Sequence, residues 1–345
     1  MNTVTFIGSD KNAGKTTALN HIYGHLRKRK GNTPRICLTS TGISGDRVDQ
    51  YFGHPKPRID VYKDTFVVTT RKRIETEKKQ AFQVVADLSP PLFSTPYVMG
   101  RCIRDTALVL EGPNTREELI HMKEILNQTI APEIIMVDGS ADRQFVAHPW
   151  ISDTFFFAVR LSDNAVDMGR TRAFLIPLSL PPCPSSIVSA ISGHANDDIK
   201  SLLFDHHLNL RYTGRTIPFQ DVALESHLEA RKGQPSVLYL NGALSPTLHG
   251  KIRTHNRLTV VLDNFTLYQN IPTRGLAHPF LPALYLRYPV HINGMFVRND
   301  TRRSPNAFRS LFPGNVPSVD LYKDESETVE TVTQKMIQRI PRHGG

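Results

Sequence analysis

The feature that most constrains the fold of this chain is a glycine-containing loop near its start. An apolar, β-branched run at residues 3–7 comes before the loop, and apolar residues recur at spacings of three and four after it. The first pattern is typical of a buried strand and the second of an amphipathic helix. A strand, a glycine loop and a helix in this order form the phosphate-binding sites of many α/β proteins. The loop itself reads Gly8-Ser9-Asp10-Lys11-Asn12-Ala13-Gly14-Lys15-Thr16-Thr17.

The residue types within this loop match the needs of a bound phosphate. Such a loop requires a glycine where the backbone approaches the phosphates, a lysine that reaches the β- and γ-phosphates, and a hydroxyl that binds Mg²⁺. Gly14, Lys15 and Thr16 supply these groups in that order, and the helix N-terminus completes the anion site. The sequence therefore predicts a nucleotide-binding site made of Gly8, Lys11, Asn12, Ala13, Gly14, Lys15, Thr16 and Thr17.

The spacing of the glycines departs from the usual phosphate-loop pattern. The pattern Gly-x-x-x-x-Gly-Lys-Thr would place its first glycine at position 9, where Ser9 stands, and Gly8 comes one residue earlier. In the alternative interpretation, Lys15 is an ordinary solvated lysine within a chance Gly-Lys-Thr sequence. Lys11 has two open interpretations, a phosphate contact and a solvated loop side chain.

A nucleotide site of this type also needs a carboxylate at the end of a neighbouring strand to hold Mg²⁺. Asp138 is the first candidate because it follows the apolar run Ile134-Ile135-Met136-Val137, which is typical of a strand buried on both faces. An ordinary Asp-Gly turn is the alternative. Asp46, with Arg47 beside it as a sensor of the γ-phosphate, is a second candidate, and Glu111 is a third. We predict Lys15 and Asp138 as catalytic residues and Thr16, Asp138 and Asp46 as metal ligands.

Further along the chain, apolar runs alternate with helical patterns, which favours βαβ units and a parallel sheet. The sequence predicts an α/β fold: a P-loop NTPase parallel sheet with helices on both faces, followed by a second α/β domain. Four prolines between Pro177 and Pro184 interrupt any helix or interior strand, so we place a domain junction there. The predicted regions are a nucleotide-binding domain at 1–176, a partner-binding domain at 185–323 that includes a helix from Ile199 to Leu208, and a polar C-terminal tail at 324–345. Within this tail we expect a short helix followed by frayed residues.

Beyond the loop, short segments follow one another in a recognisable order. They are Leu38-Thr39-Ser40-Thr41-Gly42, Asp46-Arg47-Val48-Asp49, Pro57-Arg58-Ile59, Thr95-Pro96, Gly100-Arg101, Gly112-Pro113 and Val137-Asp138-Gly139 with Arg143 and Ala147. Together with the loop from Lys11 to Thr17, these segments resemble the small ATPase subunit of the lysine 5,6-aminomutase reactivase. The resemblance covers most of residues 3–160 and extends thinly through Asn241-Gly242-Ala243-Leu244 to Val316-Pro317-Ser318-Val319-Asp320.

The resemblance implies a protein that binds and hydrolyses ATP, with ATP and Mg²⁺ as cofactors. It implies a reactivase that opens an adenosylcobalamin-dependent aminomutase and releases its damaged cobalamin, working with a MutS-like second subunit. Adaptors of molybdopterin guanine dinucleotide biosynthesis carry a similar loop, so a GTP-binding adaptor or enzyme of cofactor biosynthesis is one alternative. A small-molecule kinase is another, and both ATP and GTP stay open as the nucleotide.

The chain is basic, with 42 Lys and Arg against 32 Asp and Glu among 345 residues and a net charge of +10. The basic residues are divided among the end of the first predicted helix, a mixed-charge segment at 72–79 and the pair Arg302-Arg303. This distribution favours an acidic protein surface as partner over a polynucleotide, and a nucleic-acid-dependent ATPase is the less favoured alternative.

Two further features bear on where such a chain resides. Its three cysteines are scattered and indicate neither a disulfide framework nor a zinc site. The sequence contains no apolar stretch of the length that spans a bilayer and no signal-peptide pattern. We therefore expect a cytoplasmic protein.

Overall fold

The structure is a computed structural model of the chain. It describes all residues except 11, 29–32, 45–57, 77–79, 90, 140–145, 147, 149, 269–282, 303–307, 309–311 and 342–345. The chain divides into two compact units. Unit 1 comprises Met1–Leu161, His291–Asp300 and Val316–Gly345, and unit 2 comprises Ser162–Val290 and Thr301–Asn315.

Eighteen strands are present in the described part of the chain. In chain order they are β1 (Asn2–Gly8), β2 (Ile36–Ser40), β3 (Gly42–Ser44), β4 (Ile59–Val61), β5 (Phe66–Thr70), β6 (Phe82–Leu88), β7 (Tyr97–Cys102), β8 (Thr106–Leu108), β9 (Leu110–Gly112), β10 (Ile134–Asp138), β11 (Thr154–Leu161), β12 (Ser201–Asp205), β13 (Leu210–Gly214), β14 (Ser236–Leu240), β15 (Leu258–Leu262), β16 (Ala283–Leu286), β17 (Ile292–Asn299) and β18 (Ser318–Val319).

The same residues include eight α-helices. They are α1 (Lys15–Arg27), α2 (Arg71–Glu75), α3 (Arg116–Thr129), α4 (Ala165–Leu175), α5 (Ser185–Ser192), α6 (Val222–Ala230), α7 (Pro246–Ile252) and α8 (Ser326–Gln338). Single turns of 3₁₀ helix occur at Ile176–Ser179, Pro218–Gln220 and Phe265–Leu267. None of these helices is long and apolar enough to cross a membrane.

Unit 1 is built on a nine-stranded sheet with the order β18-β17-β11-β1-β10-β2-β5-β7-β6. The strands from β18 to β5 are mutually parallel, whereas β7 runs antiparallel to both of its neighbours. Every residue of β1, β2 and β10 is buried, as the continuous apolar run before Asp138 predicts for a parallel strand covered on both faces. The prediction of an α/β fold with a parallel-rich sheet is confirmed.

Unit 2 contains a five-stranded sheet with the order β13-β12-β14-β15-β16. Strands β14, β15 and β16 are parallel, and β12 runs antiparallel to both β13 and β14. Apolar residues from β12, β14 and the segment around α5 form its core, including Leu202, Phe204, Tyr239 and Ile191. Unit 2 is thus a mixed α/β unit of its own.

The boundaries of the two units differ from the sequence-based domains 1–176, 185–323 and 324–345. The chain leaves unit 1 after Leu161 and returns to it twice, because β17 extends the large sheet by pairing with β11. The proline-rich segment is no junction. It lies inside unit 2, where Pro182 forms a bridge with Leu286 and the Cys183 N–H donates to the Leu286 carbonyl at 2.8 Å.

The C-terminal region predicted as a polar tail contains helix α8 of unit 1. Its residues Met336 and Ile337 are buried in the same core cluster as Val4 and Phe6 of β1. Most residues of α8 are polar, and its narrow buried side packs in the core cluster that also contains Phe296 of β17 and Val319 of β18. The sequence alone does not show these two strands as neighbours of the helix.

The helix predicted from Ile199 to Leu208 is wrong. Residues 201–205 form β12, and a tight turn then leads into β13. Asp205 holds this turn by accepting hydrogen bonds from the N–H groups of His207 and Asn209 at 2.9 and 3.0 Å. A short continuous apolar run fits a buried helix segment and a buried strand equally well, so periodicity alone does not separate them.

Candidate functional site

The glycine-containing loop connects the carboxyl end of β1 to α1 at the centre of the nine-stranded sheet. After β1 the chain passes through α1 to β2 on one side, and β11 later lies on the other side of β1. The order of connections therefore reverses at β1, and such a switch point at the carboxyl ends of parallel strands is where open α/β sheets bind ligands. The predicted loop thus occupies the position in the sheet that best suits a ligand.

The loop is fixed to its neighbours by backbone contacts. The Ser9 N–H donates to the Ala158 carbonyl of β11 at 2.9 Å, and the Arg160 N–H donates to Ser9 Oγ at 3.2 Å. Ser9, which stands where the usual pattern has a glycine, thereby joins the loop to β11. The variant spacing is compatible with a well-anchored loop.

Gly14 provides the backbone conformation that starts helix α1. It has φ 94° and ψ 21°, the left-handed region that L-residues other than glycine rarely adopt. No acidic side chain lies in the first turn of α1, so no carboxylate of the helix itself offsets the positive end of its dipole. Helix N-termini of this kind bind anions through their N–H groups.

The side chain of Lys15 turns back over the end of β1. A Cβ atom placed on Gly8 would lie 2.8 Å from Lys15 Cγ and 3.2 Å from Lys15 Nζ. Only glycine at position 8 leaves this path open, which explains why a glycine one residue earlier than the usual pattern is useful here. The ammonium is held against the loop, where a phosphate would lie.

Thr16 and Asp138 are brought together as the sequence predicts. Thr16 Oγ1 donates to Asp138 Oδ2 at 2.9 Å. Asp138 ends β10, lies beside Phe6 of β1 in the parallel register and is 2% exposed. These two residues are 122 positions apart in the chain, and the pairing of β1 with β10 is what joins them.

The oxygen atoms of Thr16 and Asp138 fit a magnesium ion. Mg²⁺ prefers oxygen ligands, keeps several waters and takes only one or two carboxylates together with the phosphates of its substrate. Within the described residues, no group of three or more His, Cys, Asp and Glu side chains is placed to hold a metal. One hydroxyl and one carboxylate beside a phosphate loop match the modest demand of Mg²⁺.

The sequence indicated four further charged candidate residues for this site. Lys11, Asp46 and Arg47 lie outside the described residues. Glu111 forms an ion pair with Arg73, whose Nε donates to Glu111 Oε2 at 2.9 Å. Glu111 of β9 is thus paired with Arg73 of α2. Among the acidic candidates that the structure describes, Asp138 is the one whose side chain contacts Thr16.

On the opposite side of the loop, two arginines flank a carboxylate that sequence analysis missed. Asp300 accepts from Arg160 Nε at 2.8 Å and from Arg298 Nε at 3.0 Å. Arg298 Nη1 also donates to the Asn12 carbonyl of the loop at 3.3 Å. Burial alone would raise the pKa of Asp300, but the two arginines hold that pKa below its ordinary value. No sequence pattern predicts the contact between these residues, because β11 and β17 are distant in the chain and become neighbours only in the sheet.

Comparisons with known proteins add little to this geometry. No protein-family model matches the chain, and no curated protein is significantly similar to it. Among solved structures, the chain is similar to pNOB8 ParA bound to nonspecific DNA, with 9% identity and a TM-score of 0.31 over 99% of each chain. It is also similar to a further pNOB8 ParA structure, with 11% identity and a TM-score of 0.30 over 98% of each chain. Similarity at this level establishes neither a shared fold nor a shared function.

Proposed function

We propose that this chain is a P-loop nucleoside triphosphatase that binds its nucleotide with Mg²⁺ at the carboxyl end of β1. The observation that carries the proposal is the hydrogen bond from Thr16 Oγ1 to Asp138 Oδ2 at 2.9 Å. It places the two predicted metal-binding groups together at the first turn of α1, directly after the lysine that lies over Gly8.

Each residue of the site has a distinct role in this proposal. Gly14 lets the backbone approach the phosphates, and the N–H groups at the start of α1 donate to them. Lys15 neutralises charge on the β- and γ-phosphates. Thr16 and Asp138 would hold Mg²⁺, which would supply positive charge against the negative charge that develops on the phosphates. Catalysis in such a site comes mainly from positioning and electrostatic stabilisation.

The first test is the substitution Lys15→Ala. Loss of the ammonium should abolish measurable binding of Mg-ATP and Mg-GTP in calorimetric titrations, while the circular dichroism spectrum is retained. Lys28→Ala is the matched control, because it removes the same charge just beyond the other end of α1 and should leave the affinity unchanged. An unaltered nucleotide affinity in Lys15→Ala would contradict the proposal.

The proposal also names the client protein on which ATP hydrolysis acts, and this part of it rests on the sequence resemblance alone. We propose that the chain acts as the small subunit of a reactivase, working with a MutS-like subunit on an adenosylcobalamin-dependent aminomutase of the lysine 5,6-aminomutase type. Its ATPase rate should then rise when that mutase and the second subunit are added.

One assay separates this client from the alternatives. ATPase activity is measured with no addition, with mutase and MutS-like subunit, and with DNA or RNA. Stimulation by nucleic acid with a steep salt dependence would indicate a nucleic-acid-dependent ATPase. Consumption of a metabolite at the same rate as ATP would indicate a kinase or an enzyme of cofactor biosynthesis.

A further inference from the structure

Thr16 and Asp138 occupy one side of the phosphate loop, which leaves the other side for the nucleoside of a bound nucleotide. Thr16 and Asp138, which would hold Mg²⁺ beside the phosphates, lie on the β10 side of β1. We place the nucleoside end of the same ligand on the other side of β1, away from Thr16 and Asp138. There the sheet continues through β11, β17 and β18.

An exposed aromatic ring lies on that side, next to the phosphate loop. Tyr322 follows β18 and is 64% exposed. Its hydroxyl donates to Thr17 Oγ1 at 3.5 Å, so the ring stands beside the residue that directly follows the predicted metal ligand. Among the described residues, Trp150 is the other aromatic side chain with comparable exposure, at 56%. Trp150 precedes the amino end of β11, at the opposite edge of the sheet.

The backbone that carries Tyr322 is firmly held. Asp320 is 2% exposed, and its Oδ1 accepts from the Tyr322 N–H at 2.9 Å. Its other oxygen, Oδ2, accepts from the N–H of Asn299, the last residue of β17, at 3.1 Å. One buried carboxylate thus joins the end of β17 to the turn that presents the ring. Because this backbone is already held, little further ordering of it is needed when a ligand stacks on the ring.

We infer that Tyr322 is the stacking platform for the base of the bound nucleoside triphosphate. The inference rests on the proposed function, since it extends the same site from the phosphates to the nucleoside. The Tyr322 side chain is largely exposed beside the phosphate loop, and base-aromatic stacking is favourable for any base. Tyr322 therefore contributes affinity for the nucleoside and no affinity for the phosphates.

The test compares a nucleotide with a ligand that has phosphates but no base. Calorimetric titrations of the full chain are made with Mg-ATP, Mg-GTP and Mg-tripolyphosphate. Tyr322→Ala should weaken binding of both nucleotides by about tenfold or more, with tripolyphosphate affinity unchanged. Tyr322→Phe keeps the ring and should bind nucleotides as the natural chain does. Trp150→Ala removes an exposed ring far from the loop and is the matched control.

Steady-state hydrolysis gives a second readout. Tyr322→Ala should raise KM with kcat retained, because the lost interaction is made equally in the ground state and the transition state. Equal nucleotide affinity in Tyr322→Ala and the natural chain would overturn the inference while leaving the proposed function intact. An equal loss of tripolyphosphate and nucleotide binding would show that Tyr322 supports the loop instead. A natural chain that binds neither ligand would overturn both proposals.

Discussion

The two units carry the same short pattern at the end of a buried strand and use it differently. In unit 1, β10 ends at Asp138 and is followed by Gly139, and in unit 2, β14 is followed by Asn241-Gly242. Asp138 accepts a hydrogen bond from Thr16 at the start of α1. Asn241 donates from Nδ2 to the Ile199 carbonyl at 3.2 Å and from its N–H to the Lys200 carbonyl at 2.9 Å.

The polar residues at the carboxyl edge of the unit 2 sheet bind one another. Asp263, directly after β15, accepts from the Tyr239 hydroxyl at 2.7 Å and from Arg287 Nη1 at 3.2 Å. Burial raises the pKa of Tyr239, and the neighbouring Asp263 raises it further. A strand-end carboxylate is a candidate ligand site where it faces a helix N-terminus and a glycine loop. Where it faces a half-buried arginine, as Asp263 faces Arg287, it forms a structural ion pair.

Among variants that test this difference between the two sheets, we expect the largest effect in Asp263→Ala, on the free energy of unfolding. The side chains of Asp263 and Arg287 are only 4% and 13% exposed, and Asp263→Ala leaves the guanidinium of Arg287 without its carboxylate partner. We expect a loss of about 3–5 kcal/mol in the free energy of unfolding, measured by urea denaturation, with the Kd for Mg-ATP unchanged.

Lys232→Ala is the control for that variant. It breaks an ion pair with Glu229 whose side chains are 51% and 60% exposed, and such surface pairs contribute about 0–1 kcal/mol. A weakened Mg-ATP affinity in Asp263→Ala would contradict the division of roles between the two sheets.

A reciprocal exchange of the two strand-end residues tests the contrast directly. Asp138→Asn gives unit 1 the residue of unit 2, and it should lower Mg²⁺-dependent hydrolysis by about 10- to 100-fold. Asn241→Asp turns the donor facing the Ile199 carbonyl into an acceptor and should cost about 1–3 kcal/mol of stability, with nucleotide affinity retained. Nucleotide titrations and urea denaturation of both variants check the two outcomes. Equal hydrolysis by Asp138→Asn and the natural chain would exclude Asp138 as a metal ligand.

The smallest effect is a dependence of stability on pH that arises in unit 1. His21 on α1 packs against α8, where its Nε2 lies 2.8 Å from Thr333 Oγ1. Burial, followed by the nearby His25, lowers the pKa of His21 from 6.5 to about 4. The unfolded chain therefore binds the proton more readily between these pH values, so stability is complete above pH 6.5 and falls as the pH decreases toward 4.

Urea denaturation at several pH values measures that dependence. His21→Gln should make the stability of the protein less sensitive to pH in this range. His207→Gln, at an exposed position in the turn between β12 and β13 of unit 2, should leave the dependence as it is. The same pH dependence in His21→Gln as in the natural chain would show that another group is responsible.

Local sequence patterns predicted the strand, the glycine loop and the helix around Gly14 because their geometry depends on adjacent residues. Gly14 starts the helix with a left-handed conformation, and Lys15 lies over Gly8 only seven positions away. Asp138 was also identified from its own surroundings, since a buried parallel strand has a continuous apolar sequence that ends in a polar residue. The meeting of Thr16 with Asp138 then follows from the pairing of β1 and β10.

Residues that act through distant strands were not found in this way. Arg160 and Asp300 are 140 positions apart, and neither stands in a pattern that points to the other. Tyr322 lies in a region predicted as the end of the second domain, yet it belongs to unit 1. The domain boundaries failed for the same reason, because strand β17 returns to the first sheet after a long insertion and no local signal marks that return.

The sequence by itself determined the elements of the chain whose physics is local: a strand, a glycine loop, a helix with a lysine and a threonine in its first turn, and a buried strand that ends in a carboxylate. The tertiary structure alone decided which strands are neighbours, and therefore that Arg298 reaches the carbonyl of Asn12 and that Tyr322 stands beside Thr17. Backbone conformation and burial can be predicted from the types of adjacent residues. The order of parallel strands cannot, because it depends on long connections and the packing of the whole sheet.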